Sequence, residues 1–253
     1  MTIAPQRGIV YGPVRSRRLG RSLGINLLPA GRKVCTFDCV YCQYGWSDAG
    51  ALASMRPDEW PRVEEVLGAV EAALVRLAED PPAYLTFSGN GEPTLHPRFG
   101  EILTGVKELR DRLAPRARTA VLSNSSRVGD ASVRKALAAL DRRIMKLDAG
   151  TEEGFRRVSR PLDGLTLADV VAGLSALEEV TIQTLLIAGP DGNLEPGEIE
   201  AWLARIAAIR PSVVQLYTLD RGAPSDRIEA AGEEQLESAA ERLKKAGVAA
   251  RVF

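Results

Sequence analysis

Short apolar runs recur along this chain, and between them lie amphipathic segments closed by polar turns. The runs are GINLL (24–28), AYLTF (83–87), RTAVL (118–122), RIMKL (143–147), VTIQTLLI (180–187), VVQLYT (213–218) and VAARVF (248–253). They are rich in β-branched and large apolar residues, as strands buried on both faces are. The segments between them carry apolar residues at helical spacing. Val63, Val66, Leu67, Val70, Leu74 and Leu77 form one stripe, with Pro61 suited to a first turn. Phe99, Ile102, Leu103, Val106 and Leu109 form a second, and a shorter helix follows Asp130 as N-cap. Thr166 caps Leu167, Val170, Val171, Leu174 and Leu177; Pro196 opens a helix holding Ile199, Trp202, Leu203 and Ile206; Leu236, Leu243 and Ala246 mark a last one, ended by Gly247.

Strand and helix alternating about six times imply a parallel α/β sheet. Periodicity leaves open whether that sheet is doubly wound or curled into a full or partial barrel. At 253 residues the chain can be one domain. The conspicuous polar stretches, SGNGEP (88–93), SNSS (123–126), DAG (148–150), AGPDG (188–192) and TLDRG (218–222), all follow strands. Ligand sites lie at the carboxyl ends of strands in both architectures.

All three cysteines fall within eight residues, in KVCTFDCVYCQYG (33–45), spaced Cys35, Cys39, Cys42. Three thiolates this close on a loop can serve one metal centre. A closed zinc site wants four ligands, and the fourth would be His96, the only histidine, or a carboxylate. A redox pair of Cys39 and Cys42 leaves Cys35 without a role. Clustering of every cysteine in one polar, aromatic-rich loop argues against three unrelated buried thiols. An iron–sulfur cluster held by three thiolates leaves one iron open to a substrate or cofactor.

CTFDCVYC resembles the cluster loop of the radical S-adenosylmethionine (radical SAM) enzymes. The resemblance implies a 4Fe–4S cluster on Cys35, Cys39 and Cys42, with the amino and carboxylate groups of SAM on the fourth iron. It places Tyr41 beside the adenine. SGNGEP is similar to that family's glycine-rich motif, so Ser88, Gly89, Asn90, Gly91 and Glu92 are expected to hold the SAM amino group. Ser123 and Asn124 fall where ribose or methionine contacts are expected, and Asp148 plays a comparable part. Ile187 to Gly189 and Leu216 to Thr218, with Ile187 and Tyr217 at their centres, fall where adenine meets backbone.

The implied fold is a partial (β/α)6 TIM-like barrel with parallel strands, one domain over 1–253: a basic arm (1–23), a barrel core (24–219) and a C-terminal helix and strand (220–253). The implied activity is reductive cleavage of SAM to a 5′-deoxyadenosyl radical that abstracts hydrogen from a substrate, fed by an external one-electron reductant of flavodoxin or ferredoxin type. Arg160 and Lys146 are candidate catalytic residues, Arg160 as a bidentate partner for a carboxylate of SAM or substrate.

GPVRSRRLGRSLGINLLP and TFSGNGEPTLHPRF further resemble short radical SAM proteins related to the wybutosine-forming tRNA enzymes. Those enzymes carry additional cysteines for a second cluster, which this chain lacks. Lys plus Arg and Asp plus Glu are both 33, so the formal net charge of zero suits a large RNA footprint poorly. Residues 1–33 nevertheless hold Arg7, Arg15, Arg17, Arg18, Arg21, Arg32 and Lys33 without one acid. A glycyl-radical activating enzyme and a non-catalytic iron–sulfur carrier are the remaining readings; a carrier would not need SGNGEP. No apolar run reaches membrane-spanning length, and MTIAPQRG has no signal-like apolar core. The expectation is a cytoplasmic monomer.

Overall fold

The computed structural model describes residues 2–48, 50–162 and 164–253. Strands β1 (Val10–Ser16) and β2 (Gly20–Ile25) open the chain. Then follow α1 (Val63–Arg76), β3 (Tyr84–Phe87), α2 (Phe99–Leu113), β4 (Arg118–Ser123), α3 (Ala131–Ala138), β5 (Arg142–Lys146), α4 (Glu152–Val158) and α5 (Leu167–Ser175). The chain ends with β6 (Val180–Leu185), β7 (Ile187–Ala188), α6 (Pro196–Ile209), β8 (Val213–Tyr217), β9 (Glu229–Ala230), α7 (Glu233–Lys245) and β10 (Ala250–Val252).

Eight strands form one sheet in the order β1-β2-β3-β4-β5-β6-β8-β10, while β7 and β9 pair separately. From β2 to β10 every neighbour is parallel; β1 alone is antiparallel. The expected parallel α/β architecture is therefore present, with six strands from β2 to β8 as the barrel wall and one extra strand at each edge. Thr166 caps α5 by exchanging bonds with Asp169, and Asp130 caps α3 by accepting from Ser132 N–H at 2.8 Å.

The basic N-terminal stretch is not a separate arm: residues 10–25 are a hairpin inside the sheet. Strand β1 escaped the sequence pattern because Gly12 and Pro13 interrupt it and its register shifts between Tyr11 and Val14. Proline is tolerated on an edge strand, where its missing N–H faces away from the ladder. The strand 180–187 is broken in two, and α4 is an additional helix between DAG and Thr166.

The two faces of the sheet differ in chemistry. Leu85, Phe87, Val121, Met145, Ile182, Val214 and Leu216 pack outward with Val66, Ile102, Leu137, Leu174, Trp202 and Ile206 of the helices. Alternate residues face the concave side. There a small cluster of Leu19, Ala120 and Ile144, with Tyr84 and Leu122, lies near polar pairs. Ser22 meets Thr86 at 2.6 Å, Gln183 meets Gln215 at 3.3 Å, and Lys146 meets Tyr217 at 2.7 Å. The apolar core is thus outside the barrel, and the lumen is lined by groups able to bind a polar guest. No helix among the described residues is long and apolar enough to cross a membrane.

Candidate active site

The cysteine loop is held on both flanks by main-chain bonds. On one side Val34 N–H donates to Asn90 O at 2.8 Å, and Glu92 N–H donates to Val34 O at 3.2 Å. On the other side Asp38 N–H donates to Ser159 O at 3.1 Å, Val40 N–H to Val158 O at 3.0 Å, and Leu162 N–H to Thr36 O at 2.8 Å. Phe37 meets Phe155 edge-on at 5.4 Å. The loop is therefore an added strand-like segment between SGNGEP and the end of α4.

This docking gives Gly91 its reason. Its φ is +139°, and a Cβ there would lie 1.8 Å from Val34 O. A Cβ on Gly89 (φ +140°) would meet Asn26 Oδ1 at 2.5 Å. Both glycines allow protein backbones and side chains to close on each other. Asn90 is fully buried; its amide donates to Gln6 O and Pro29 O and accepts from Gln6 N–H. Ser88 shares a 2.6 Å hydrogen bond with the Tyr11 hydroxyl.

The thiols sit in donor-rich surroundings. Asn124 Nδ2 lies 3.4 Å from Cys35 Sγ and donates to Thr36 Oγ1 at 2.9 Å. Buried Lys33 donates to Asp38 Oδ1 at 3.0 Å and to Gly45 O at 2.8 Å, closing the loop on itself. Asp38 Oδ1 also accepts from Ser47 N–H at 2.7 Å. Lys33 and Asp38 were not singled out as a pair; their opposite charges, five residues apart and bracketing Cys35, were the available signal. Burial pushes the Cys35 thiol up to about 12, partly offset by the Phe37 N–H. Burial and its neighbouring thiols push Cys39 higher still.

Among the described residues no three His, Cys, Asp or Glu side chains converge where a single ion could sit. A cubane spreads its thiolates over separate irons rather than one ion, and this loop carries three free thiols with N–H donors at Cys35 of the kind that tune cluster sulfurs. His96 takes no part: its Nε2 meets Pro61 O at 2.9 Å, its Nδ1 accepts from Arg98 N–H at 3.1 Å, and Trp60 packs edge-on against it. The zinc reading loses its histidine ligand.

Glu92 is 1% exposed and gathers the site from beneath. Its Oε1 accepts from Thr94 N–H (3.0 Å), Thr94 Oγ1 (2.6 Å) and Ser123 Oγ (2.9 Å), and its Oε2 from Asn124 N–H (2.6 Å). Burial outweighs these donors and holds the carboxyl above its ordinary value. The loops after β3 and β4 are thereby joined through one carboxylate.

A second polar group lies toward β5, β6 and β8. Asp148 pairs with Lys146 Nζ at 2.9 Å, accepts from Leu185 N–H at 2.7 Å and accepts the Tyr41 hydroxyl. Lys146 also donates to the Tyr217 hydroxyl and lies 4.9 Å and 4.8 Å from the ring centroids of Tyr41 and Tyr217. Tyr41 thus reaches from the cysteine loop across the barrel mouth. Ile187 is committed within the protein: its N–H donates to Asn193 Oδ1 at 2.9 Å, and its carbonyl accepts from Asn193 N–H at 3.0 Å. Asn193 escaped the sequence reading because a buried asparagine in a Gly-Pro-Asp-Gly-Asn turn resembles any turn residue. Arg160 is exposed with φ +47° and stacks on Trp46 at 4.6 Å, above the cysteine loop and outside the Lys146–Asp148 group.

The family model of the radical SAM superfamily matches residues 33–203. A UPF0026 protein of Synechocystis sp. is 34% identical over 224 residues, covering 86% of this chain and 78% of that protein. A radical SAM methyltransferase from Sphaerobacter thermophilus superposes with a TM-score of 0.66 at 16% identity, over 92% of this chain and 65% of its own. A structure of TYW1 with a bound lysine–pyruvate adduct superposes with a TM-score of 0.61 at 16% identity, over 89% and 73%. The fold is the partial barrel of these enzymes. With the matched segment spanning the cysteine loop, the glycine–glutamate and Asp148 loops and the four central strands β3 to β6, the chain belongs to the radical SAM superfamily and groups within it with the UPF0026 proteins.

Proposed function

We propose that this protein is a radical SAM enzyme, in which Cys35, Cys39 and Cys42 hold a 4Fe–4S cluster and SAM lies between that cluster and the barrel mouth. The observation that carries the reading is the bridge of Val34 to Gly91, which brings the three-cysteine loop and the glycine–glutamate loop into one site. A non-catalytic carrier would use the same bridge to seat its cysteines but would bind no SAM, so calorimetry with SAM separates the two readings. Once bound and reduced by an external one-electron donor, the cluster and SAM supply C–S cleavage to methionine and a 5′-deoxyadenosyl radical able to take a hydrogen atom from a substrate.

The chain's own groups bind, orient and shield. Glu92 and the backbone around Gly91 present negative charge and carbonyls suited to an ammonium. Asn124 and Ser123 sit beside Cys35 and Glu92 as ribose or methionine contacts. Tyr41, Tyr217 and the apolar cluster of Val40, Val158, Leu185, Ile187 and Ile228 form a wall suited to adenine, which they would shield from water.

In this reading Lys146 is an ammonium that holds its neighbours, not the site of a lysine adduct like that in the TYW1 structure. Burial pulls its pKa down, but Asp148 and Tyr217 outweigh that and keep the ammonium protonated. Its role here is to hold Asp148 and the two tyrosines. After anaerobic reconstitution, SAM plus dithionite should yield methionine and 5′-deoxyadenosine, and Cys39→Ala should abolish both the cluster absorbance and the products. Undiminished cleavage by the Cys39→Ala protein would sink this reading.

A further inference from the structure

Two adjacent arginines at the tip of the β1–β2 hairpin have different surroundings. Ser16 Oγ accepts from Arg18 N–H at 3.3 Å and Leu19 N–H at 3.1 Å, which folds the tip. Leu19 is buried with Ala120 and Ile144 on the concave face, so the tip reaches into the lumen. Arg17 stays at the rim and pairs with Asp220 at 3.1 Å, both side chains more than half exposed.

Arg18 turns inward, and its guanidinium stacks over Tyr217 at 4.4 Å. Its Nη1 is shut off from solvent and has no hydrogen-bond partner. Stacking occupies one face of the guanidinium and leaves its in-plane N–H groups to bind something else. The carboxylates nearby are already committed: Asp220 to Arg17, and Asp148 to Lys146 and Tyr41. Arg18 makes no ion pair among the described residues. A guanidinium cannot shed its charge at physiological pH, so the lumen carries a cation and shielded donors with no acceptor of their own.

We propose that Arg18 is the anchor for an anionic group, a carboxylate or a phosphate, on the substrate that occupies the barrel lumen. This rests on the lumen being the reaction chamber of the proposed SAM chemistry. The SAM carboxylate is not its partner in this scheme. That end of the cofactor belongs beside the cysteines, Glu92 and Asn124, at the ends of β3 and β4, whereas Arg18 stands against β8, beyond β5 and β6 in the sheet. A planar fork matched to two oxygens gives the pocket a reason to prefer substrates with such a group.

The test uses reconstituted holoprotein saturated with SAM, without reductant, at low ionic strength. Inorganic phosphate and acetate are titrated separately by calorimetry, so that the two arms tell phosphate from carboxylate. The expected result is one-to-one binding of one of them, weakened at least tenfold in Arg18→Gln and less in Arg18→Lys. Arg15→Gln, an exposed change on β1, should bind as the unaltered protein does, and SAM affinity in Arg18→Gln should stay within twofold. Failure of both anions to bind, equal binding by Arg18→Gln, or loss of SAM binding with the arginine would overturn the proposal. If Arg18→Gln loses its cluster absorbance or circular dichroism, Arg18→Lys carries the comparison, and binding equal to that of the unaltered protein overturns the proposal. Anion binding without SAM cleavage would leave this site standing and remove the chemistry proposed above; cleavage without anion binding would do the reverse.

Discussion

Two carboxylates show how burial and partners set opposite pH responses. For Glu92 burial wins, and its folded pKa lies above the ordinary 4.5. The folded state then binds the extra proton, so its contribution to stability falls as pH rises from 4.5 upward. Asp141 behaves in the opposite sense. Burial pushes it up, but the Thr119 amide and hydroxyl and the Arg110 guanidinium outweigh burial and hold it below 3.8. Its stabilisation is present above that value and is lost as pH falls from it through the lower folded pKa. Glu92→Gln should flatten the decline in stability between pH 4.5 and 7 while weakening SAM binding at least tenfold, measured by urea unfolding and calorimetry. Asp141→Asn should cost under about 1 kcal/mol at pH 7, because its side chain is 39% exposed and solvent screens the pair, and nothing well below pH 3.8.

At the scale of elements, the site depends on a loop that has little regular structure of its own. The cysteine segment borrows its main-chain bonds from residues 90–92 and 158–162. This explains RRVSRP better than the Arg160 side chain does, since Ser159 and Arg160 offer their carbonyls to Asp38 N–H at 3.1 and 3.2 Å. Gly91→Ala should therefore act on the cysteines, 49 to 56 residues earlier in sequence. It costs about 2 kcal/mol for the backbone conformation alone and pushes Val34 away. The expected outcome is a protein that folds but retains little iron and sulfide after anaerobic reconstitution. Retention of a full cluster would show that the Val34 bridge is dispensable.

At the scale of the whole molecule, the hairpin links two distant parts of the chain. Its tip reaches from the β2 side of the sheet to Tyr217 and Asp220 at the end of β8, 203 positions apart for the Arg17–Asp220 pair. That exposed pair is worth well under about 1 kcal/mol, so the apolar anchor matters more. Leu19→Ala should lower the unfolding free energy by about 2–3 kcal/mol in urea. It should also raise hydrogen exchange in residues 10–25 more than in β4–β6, because the hairpin's hold on the lumen passes through that side chain.

The parallel order, the strand positions within a few residues, the polar loops at strand ends and the triple-cysteine motif were all legible in the sequence. Each arises from short-range pattern: side-chain period, capping residues and ligand spacing. Other features depended on contacts between distant segments. The hairpin was hidden because Gly12 and Pro13 break the alternation of β1. The double duty of Gly91, the burial of Asn90 by Gln6 and Pro29, the Asn193 clamp on Ile187 and the inward turn of Arg18 have no local signature. In each case the residue's neighbour lies far away in sequence, and only folding brings the two within bonding distance. Residue type limited what chemistry these groups could perform; their partners in space assigned some to hold the scaffold and left Arg18 free.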